Sequence, residues 1–150
     1  MPISQTMTTT CKRELLQAIH NFNNPGGHTF MIALIRAGSL VTGTYGAATT
    51  NYSELVANGD EAVGTGYVAG GQALVAVTPT TNGTAGVTDF GDAVWANSTI
   101  TASGAIIYNA SAGNRVVSVL SFGADKSSSG TPFAVLMPTP DAANAIVRIE

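Results

Sequence analysis

The spacing of apolar residues changes period along this chain, and each change predicts a different element. Cys11, Leu15, Ile19 and Phe22 recur on one helical face, while Lys12, Arg13, Glu14, Gln17 and Asn21 fall on the others. Thr10 stands where an N-cap belongs, and Asn23-Asn24-Pro25-Gly26-Gly27 supplies a stop, so a helix is predicted over residues 11–22. Before it, residues 1–10 are polar and Thr-rich and read as an N-terminal arm. Residues 29–37 carry apolar side chains at both parities, with Phe30, Ile32 and Leu34 on one face and Met31, Ala33 and Ile35 on the other. A strand of that kind belongs inside a sheet, covered on both sides. The pattern then lapses over residues 38–53, rich in Gly, Ala and Thr, which predicts a long surface connection or an excursion onto a neighbouring subunit.

Further along, short segments filled with Val, Ile, Thr and aromatic residues recur at 72–78, 86–90, 98–101, 104–109, 115–122, 133–137 and 145–149. Turn residues separate them, among them Asn82-Gly83, Asn97-Ser98, Ser111-Ala112-Gly113-Asn114 and the run 125–130. The expected fold is mainly β, an antiparallel β-sandwich or barrel-like sheet pair of about eight short strands. The N-terminal helix should cover a sheet edge or an open end. Residues 11–150 then form a single domain behind the 1–10 arm, with no internal repeat and no break in composition.

Charge changes this picture. Only 10% of residues are Asp, Glu, Lys or Arg and 45% are hydrophobic, against about 25% charged in an ordinary soluble domain. A surface so poor in charge is expected to be partly covered by other subunits. The net charge is −3, and the six Lys and Arg residues are scattered apart from the adjacent Lys12 and Arg13. No basic stripe exists for phosphate neutralisation, so nucleic acid is not an expected partner. The apolar run 30–35 is strand length and far short of the roughly 20 residues of a membrane span. Residues 1–10 have neither the basic nor the apolar region of a secretory signal, so synthesis in a cytoplasm is expected.

The candidate chemistry is sparse. Gly64-Thr65-Gly66-Tyr67-Val68-Ala69 has the letters of a dinucleotide fingerprint, but a turn (Asn58-Gly59-Asp60-Glu61) precedes it and a strand pattern follows. A Gly-rich crossing between strands fits better, and no cofactor is expected. His20, His28 and Cys11 lack the close spacing of a zinc site, and Cys11 reads as a small apolar helix residue. Asp89 and Asp92 beside Trp95 pair carboxylates with an aromatic, as in glycoside hydrolysis, yet Asp-Phe-Gly-Asp reads more simply as a strand end with an Asx turn. Ser103 lies between apparent strands without a nucleophile motif, and Asn51, Asn82, Asn97 and Asn109 head chance glycosylation triplets. No catalytic or metal residues are assigned, and a non-enzyme is expected. Trp95, Tyr45, Tyr52, Tyr67 and Tyr108 remain as candidate interaction residues, able to form a glycan- or receptor-binding surface if exposed in one row.

Five stretches carry a resemblance. They are Thr29-Phe30-Met31-Ile32-Ala33-Leu34 after the short helix, residues 61–74, Thr88-Asp89-Phe90-Gly91-Asp92 with Trp95, residues 99–109, and Leu120-Ser121-Phe122-Gly123-Ala124-Asp125-Lys126. In this order they resemble a family of small tailed-bacteriophage structural proteins. The resemblance spans nearly the whole chain and implies a β-rich virion component without catalytic residues. Combined with the scarcity of charge, it leads to the expectation of a capsid decoration or cement protein. Its partners would be the major capsid protein and copies of itself, gripped through residues 1–10, 38–53 and 145–150. A neck, tail or fibre-adaptor protein and a virion-surface glycan-binding module are the alternatives. The expected location is the virion, after synthesis in the bacterial host cytoplasm.

Overall fold

A computed structural model describes residues 2–150. In chain order it contains β1 (Thr6–Met7), α1 (Thr9–Leu16), β2 (Phe30–Arg36), α2 (Ser53–Ala57), β3 (Gly64–Thr65), β4 (Gln72–Leu74) and β5 (Ala76–Asn82). β6 (Ala85–Phe90), β7 (Ala93–Asn109), β8 (Arg115–Ser127), β9 (Thr131–Val135) and β10 (Val147–Ile149) follow. The fold is mainly β, with two antiparallel sheets in a sandwich-like arrangement, as the recurring strand-like segments and turns predict. The larger sheet has seven strands, in the order β1-β8-β7-β2-β4 with β3 and β9 also bonded to β7; the smaller has three, in the order β10-β6-β5.

Strand β7 organises the large sheet. Its C-terminal half pairs with β2 and β8, and its N-terminal half with β3 and β9. The sequence pattern divides this strand at Ala102-Ser103-Gly104, but the chain passes through that point as a bulge, where the register to β8 shifts between Ala102 and Gly104. Ser103, fully buried, donates its hydroxyl to the Arg36 carbonyl at 2.6 Å, which holds the bulge against β2. β2 is buried on both faces as its double parity requires. Phe30, Ile32 and Leu34 join the core shared with Phe90, Trp95 and Phe133. Ala33 and Ile35 join a second core with Ile3, Tyr45, Leu55, Ile106 and Val116.

That second core corrects two sequence expectations. Residues 38–53 do not leave the domain; with 54–62 they fold over the second face of the large sheet and bury Tyr45 and Leu55 there. Residues 2–10 are not a free arm either. Ile3 is 4% exposed, Ser4 N donates to the Tyr45 carbonyl at 2.8 Å, and β1 pairs with β8 at Thr6↔Val119. Two apolar residues, Ile3 and Met7, among Thr, Ser and Gln are too weak a periodic signal to reveal such a strand. The C-terminal segment, expected to grip a neighbour, pairs through β10 with β6.

The helix also differs from its predicted 11–22 span. Thr8 is the N-cap, its hydroxyl accepting from Cys11 N at 3.2 Å, while that same hydroxyl donates to the Val116 carbonyl at 2.9 Å. The tie to β8 selects Thr8 over Thr10 as the cap. At the other end Ala18 takes a positive φ of 55°. Its N–H donates to the Leu15 carbonyl at 3.2 Å, and Ile19 N to the Glu14 carbonyl at 3.0 Å, which is the Schellman pattern that closes a helix. Ile19 and Phe22 therefore leave the helix, and Phe22 reaches the core to stack on Phe30 at 4.6 Å.

Candidate functional site

The five candidate aromatic residues do not form an exposed row. Tyr45, Tyr108 and Trp95 are 1%, 4% and 6% exposed, and Tyr52 and Tyr67 are half-buried. Trp95 packs edge-on to Phe133 at 6.1 Å and near Tyr67 at 5.8 Å, inside the main core. Tyr52 stacks on Tyr108 at 4.7 Å. The reason is the alternation of β7 and the cover over its second half, which put every one of these rings against another element. A glycan platform needs ring faces open to solvent, so this set is an internal framework instead.

Asp60 and Glu61 explain the framework. They lie beside the end of β2, where Arg36 N donates to the Asp60 carbonyl and Ala62 N to the Leu34 carbonyl, both at 2.9 Å. The Asp60 carboxylate is fully buried. Oδ1 accepts from Arg36 Nη2 at 2.8 Å and Thr42 N at 2.9 Å; Oδ2 accepts from Gly43 N at 2.7 Å and the Tyr45 hydroxyl at 2.8 Å. Burial alone would raise its pKa, but the bonds from Thr42, Gly43 and Tyr45 outweigh it and hold the carboxyl below the ordinary aspartate value. Glu61 accepts from the hydroxyls of Tyr52 and Tyr67, both at 2.7 Å, and from Gly70 N at 2.6 Å. Burial first, and then Glu61, pushes the Tyr52 and Tyr67 phenols up, while burial pushes Tyr108 up to about 12. The phenols remain protonated donors, suited to holding Glu61 and unsuited to acid–base exchange at neutral pH.

The Gly-rich stretch is the crossing that its context predicts. Gly66 and Gly71 have φ of +84° and +78°, and a Cβ would stand 2.3 Å from the Asn97 carbonyl oxygen and 1.7 Å from that of Ile32, respectively. Only glycine permits both the conformation and the approach to β7 and β2. No strand-to-helix turn surrounds it that would present N–H groups to a pyrophosphate.

A second polar cluster joins α1 to the β7–β8 turn. Glu14, 3% exposed, receives Arg115 Nη1 on Oε1 at 2.9 Å and lies 2.8 Å from His20 Nε2 through Oε2. Asn109, fully buried, places Nδ2 2.9 Å from Nδ1 of both His20 and His28. Sequence reasoning missed this cluster because Glu14 and His20 meet only through the helix end at Ala18, which the 3.6-residue period does not contain. Among the described residues no group of three or more His, Cys, Asp or Glu is arranged to hold a metal ion. Asp89 is buried and accepts from Phe90 N and Ile146 N, whereas Asp92 is exposed and accepts from Met137 N. Both are committed to backbone, but to Phe90, Ile146 and Met137 rather than to the residue two positions on, so these bonds do not form the expected Asx turn.

Where the 38–62 cover ends, the outer face of β7 emerges. Val94, Ala96, Thr99 and Thr101 are exposed there, beside Thr65 of β3 and Ala134 of β9. None is charged. Val63 and Val68, on either side of β3, are 83% and 72% exposed. The arrangement defines a sandwich-like β domain with one uncharged, unpaired sheet face. Comparison with known proteins adds no narrower class: no family model, no curated protein and no solved structure matches the chain.

Proposed function

We propose that this chain is a structural subunit of a tailed-bacteriophage virion whose work is contact, decorating or cementing the capsid. The observation that carries the reading is the uncharged outer face of β3, β7 and β9, centred on Val94, Thr99 and Ala134. Docking such a face removes no charge from water, so its desolvation costs little, and symmetry repeats a modest contact around a particle. The ordered resemblance of the segments named above to small phage structural proteins supports the same reading. A neck or tail ring would use that face in the same way. The inward placement of Trp95 and the four tyrosines leaves the glycan-binding alternative without its platform.

Quantitative mass spectrometry of purified virions tests this. Hundreds of copies per particle are expected for capsid decoration, and about six or twelve would move the protein to a ring at the neck or tail. Absence from the particle overturns the proposal. Val94→Asp should lower incorporation while leaving the melting temperature of the isolated protein nearly unchanged, since Val94 is 47% exposed and joins neither core.

A further inference from the structure

Backbone donors fix the direction of every hydrogen bond in the cluster between α1 and the β7–β8 turn. Ser111 N can only donate, and it donates to Asn109 Oδ1 at 3.0 Å. The Asn109 atom facing the two histidines is therefore Nδ2, which has hydrogens to give and accepts none. One hydrogen points to His20 Nδ1 and the other to His28 Nδ1, each N···N distance being 2.9 Å. Asn21 N, a second backbone donor, stands 3.4 Å from the same His28 Nδ1. Both Nδ1 atoms are thus bare acceptors. The single proton of a neutral His20 then lies on Nε2, where Glu14 Oε2 accepts it at 2.8 Å.

These bonds fasten three pieces of chain. Asn109 ends β7, Glu14 belongs to α1, and His20, Asn21 and His28 lie in the segment that joins α1 to β2. Thr29 N donates to Ser111 Oγ at 2.9 Å and His28 N to the Asn21 carbonyl at 2.8 Å, which draws that segment onto the turn. The Asn109 residue and the His20 side chain are fully buried, so water does not mediate between them.

A second proton can enter either ring only at Nδ1, where it would meet an N–H hydrogen. Turning the Asn109 amide over moves the clash to Ser111 N. The surrounding charges do not remove it. Glu14 faces His20 from α1 and favours an imidazolium, but Arg115 of β8 already answers Glu14 Oε1 at 2.9 Å, and Arg13 lines the same cleft. The Cys11 thiol beside Glu14, pushed up to about 12 by burial and by Glu14, carries no charge. A histidine released into water takes its second proton freely. The opened junction therefore binds more protons than the closed one, and opening gains as pH falls.

We propose that this cluster is an acid-sensitive latch. Neutral His20 and His28 hold the 17–28 segment against the β7–β8 turn, and their protonation releases both while the sheets stay folded. The latch does not depend on the virion reading, because every group in it belongs to the single chain.

Nuclear magnetic resonance of the whole chain tests it at two levels. At about pH 8, long-range proton–nitrogen spectra should show both rings as the Nε2–H tautomer. From about pH 8 to 5, protection factors, in which the intrinsic pH dependence of exchange divides out, should fall for the Asn21 and Ser111 amides. The steepest fall should be about tenfold per pH unit for each proton taken up. Amides along the β2–β7 ladder should keep their protection. Asn109→Asp retains the acceptor for Ser111 N and turns a second acceptor toward the rings, so protection in that variant should rise over the same range. An Nδ1–H tautomer of either ring at pH 8 overturns the proposal, as does a charged His20 with both amides still protected. Equal loss along the β2–β7 ladder makes the event global unfolding and equally overturns it. So does a fall in Asn109→Asp as steep as in the parent chain. If that variant does not fold, the tautomers and the parent chain's protection factors decide the matter. Virion copy number is moved by none of these outcomes.

Discussion

Replacing Asp60 with Asn tests whether one buried carboxylate holds the 38–62 cover on the sheet. The carboxylate has two oxygens facing donors only: Arg36 Nη2 and Thr42 N on one, Gly43 N and the Tyr45 hydroxyl on the other. An amide of the same shape keeps one acceptor and turns an NH₂ toward the remaining donors. At least one backbone N–H is then stranded in a fully buried site, at about 1–3 kcal/mol for each group left unsatisfied. The Arg36 side chain is 27% exposed and recovers some water, so the total should fall near the 3–5 kcal/mol typical of breaking a buried charged pair, about 3–4 kcal/mol. For a domain of this size that is a fall in melting temperature of roughly 6–16 °C. Urea unfolding followed by circular dichroism measures the loss. Hydrogen exchange should localise it to residues 38–62, with β2 and β7 still protected. Tyr45→Phe, which removes one donor and leaves the other three, should cost about 1 kcal/mol. A loss below about 1 kcal/mol for Asp60→Asn, or protection lost evenly across both sheets, would refute the reasoning.

Acid pH should separate Asp60 from Asp89. The folded-state pKa of Asp60 lies below its unfolded value, so its stabilisation is present above the unfolded value and is lost as pH falls through the folded one. Burial raises the pKa of Asp89, with the Phe90 and Ile146 N–H bonds offsetting only part, so protonation there relieves a penalty as pH falls. Chemical unfolding across pH 3–6 should therefore show a shallower acid loss in Asp60→Asn and a steeper one in Asp89→Asn. Cys11, fully buried with its thiol pushed up to about 12 by burial and by Glu14, should resist a thiol reagent in the native protein and react on unfolding. Ile3→Ala should destabilise by about 2–4 kcal/mol in a melting assay, an outcome a free N-terminal arm would not give. Gly71→Ala, at φ +78° and against the Ile32 carbonyl, should cost about 3 kcal/mol or more, or prevent soluble expression.

What the sequence made legible follows from where the period was unbroken. The double parity of residues 30–35 located the central strand, and the strand-favouring composition of 86–90 and 115–122 located β6 and the first part of β8, which runs on to Ser127. What it hid depends on contacts distant in sequence. Ala102-Ser103-Gly104 has the composition of a turn, and only the Ser103 bond to β2 makes it a bulge. α2 is five residues long, too short for a helical period, and is started by Glu54 Oε1 accepting from Thr50 N and Asn51 N at 2.8 and 3.1 Å. The aromatic residues were legible as important. Their burial was not, because a tyrosine suits a surface platform and a half-buried clamp equally well until its hydroxyl partner is known.

That difference alters the meaning of the chain's low charge. Scarcity of Asp and Glu suggested a surface withheld from water, yet the acids present are almost all turned to internal use. Glu54, Asp60, Glu61, Asp89, Asp92, Asp125 and Asp141 each accept at least one backbone N–H. Glu14 is held between Arg115 and His20. Each carboxylate fixes a loop or turn that lacks a ladder partner, a role in which a charged acceptor is about twice as strong as a neutral one. The anionic charge is thereby bound up in loop closure. Among the described residues Lys12 and Lys126 are left without partners, and the outer face of β7 is left without charge. A net charge of −3 thus conceals two surfaces of different character, one uncharged, the other cationic. Changing the charge of each separates them: Val94→Asp should impair assembly, and Lys12→Glu/Lys126→Glu should spare it. If the lysine variant impairs assembly as strongly, the two faces are not independent.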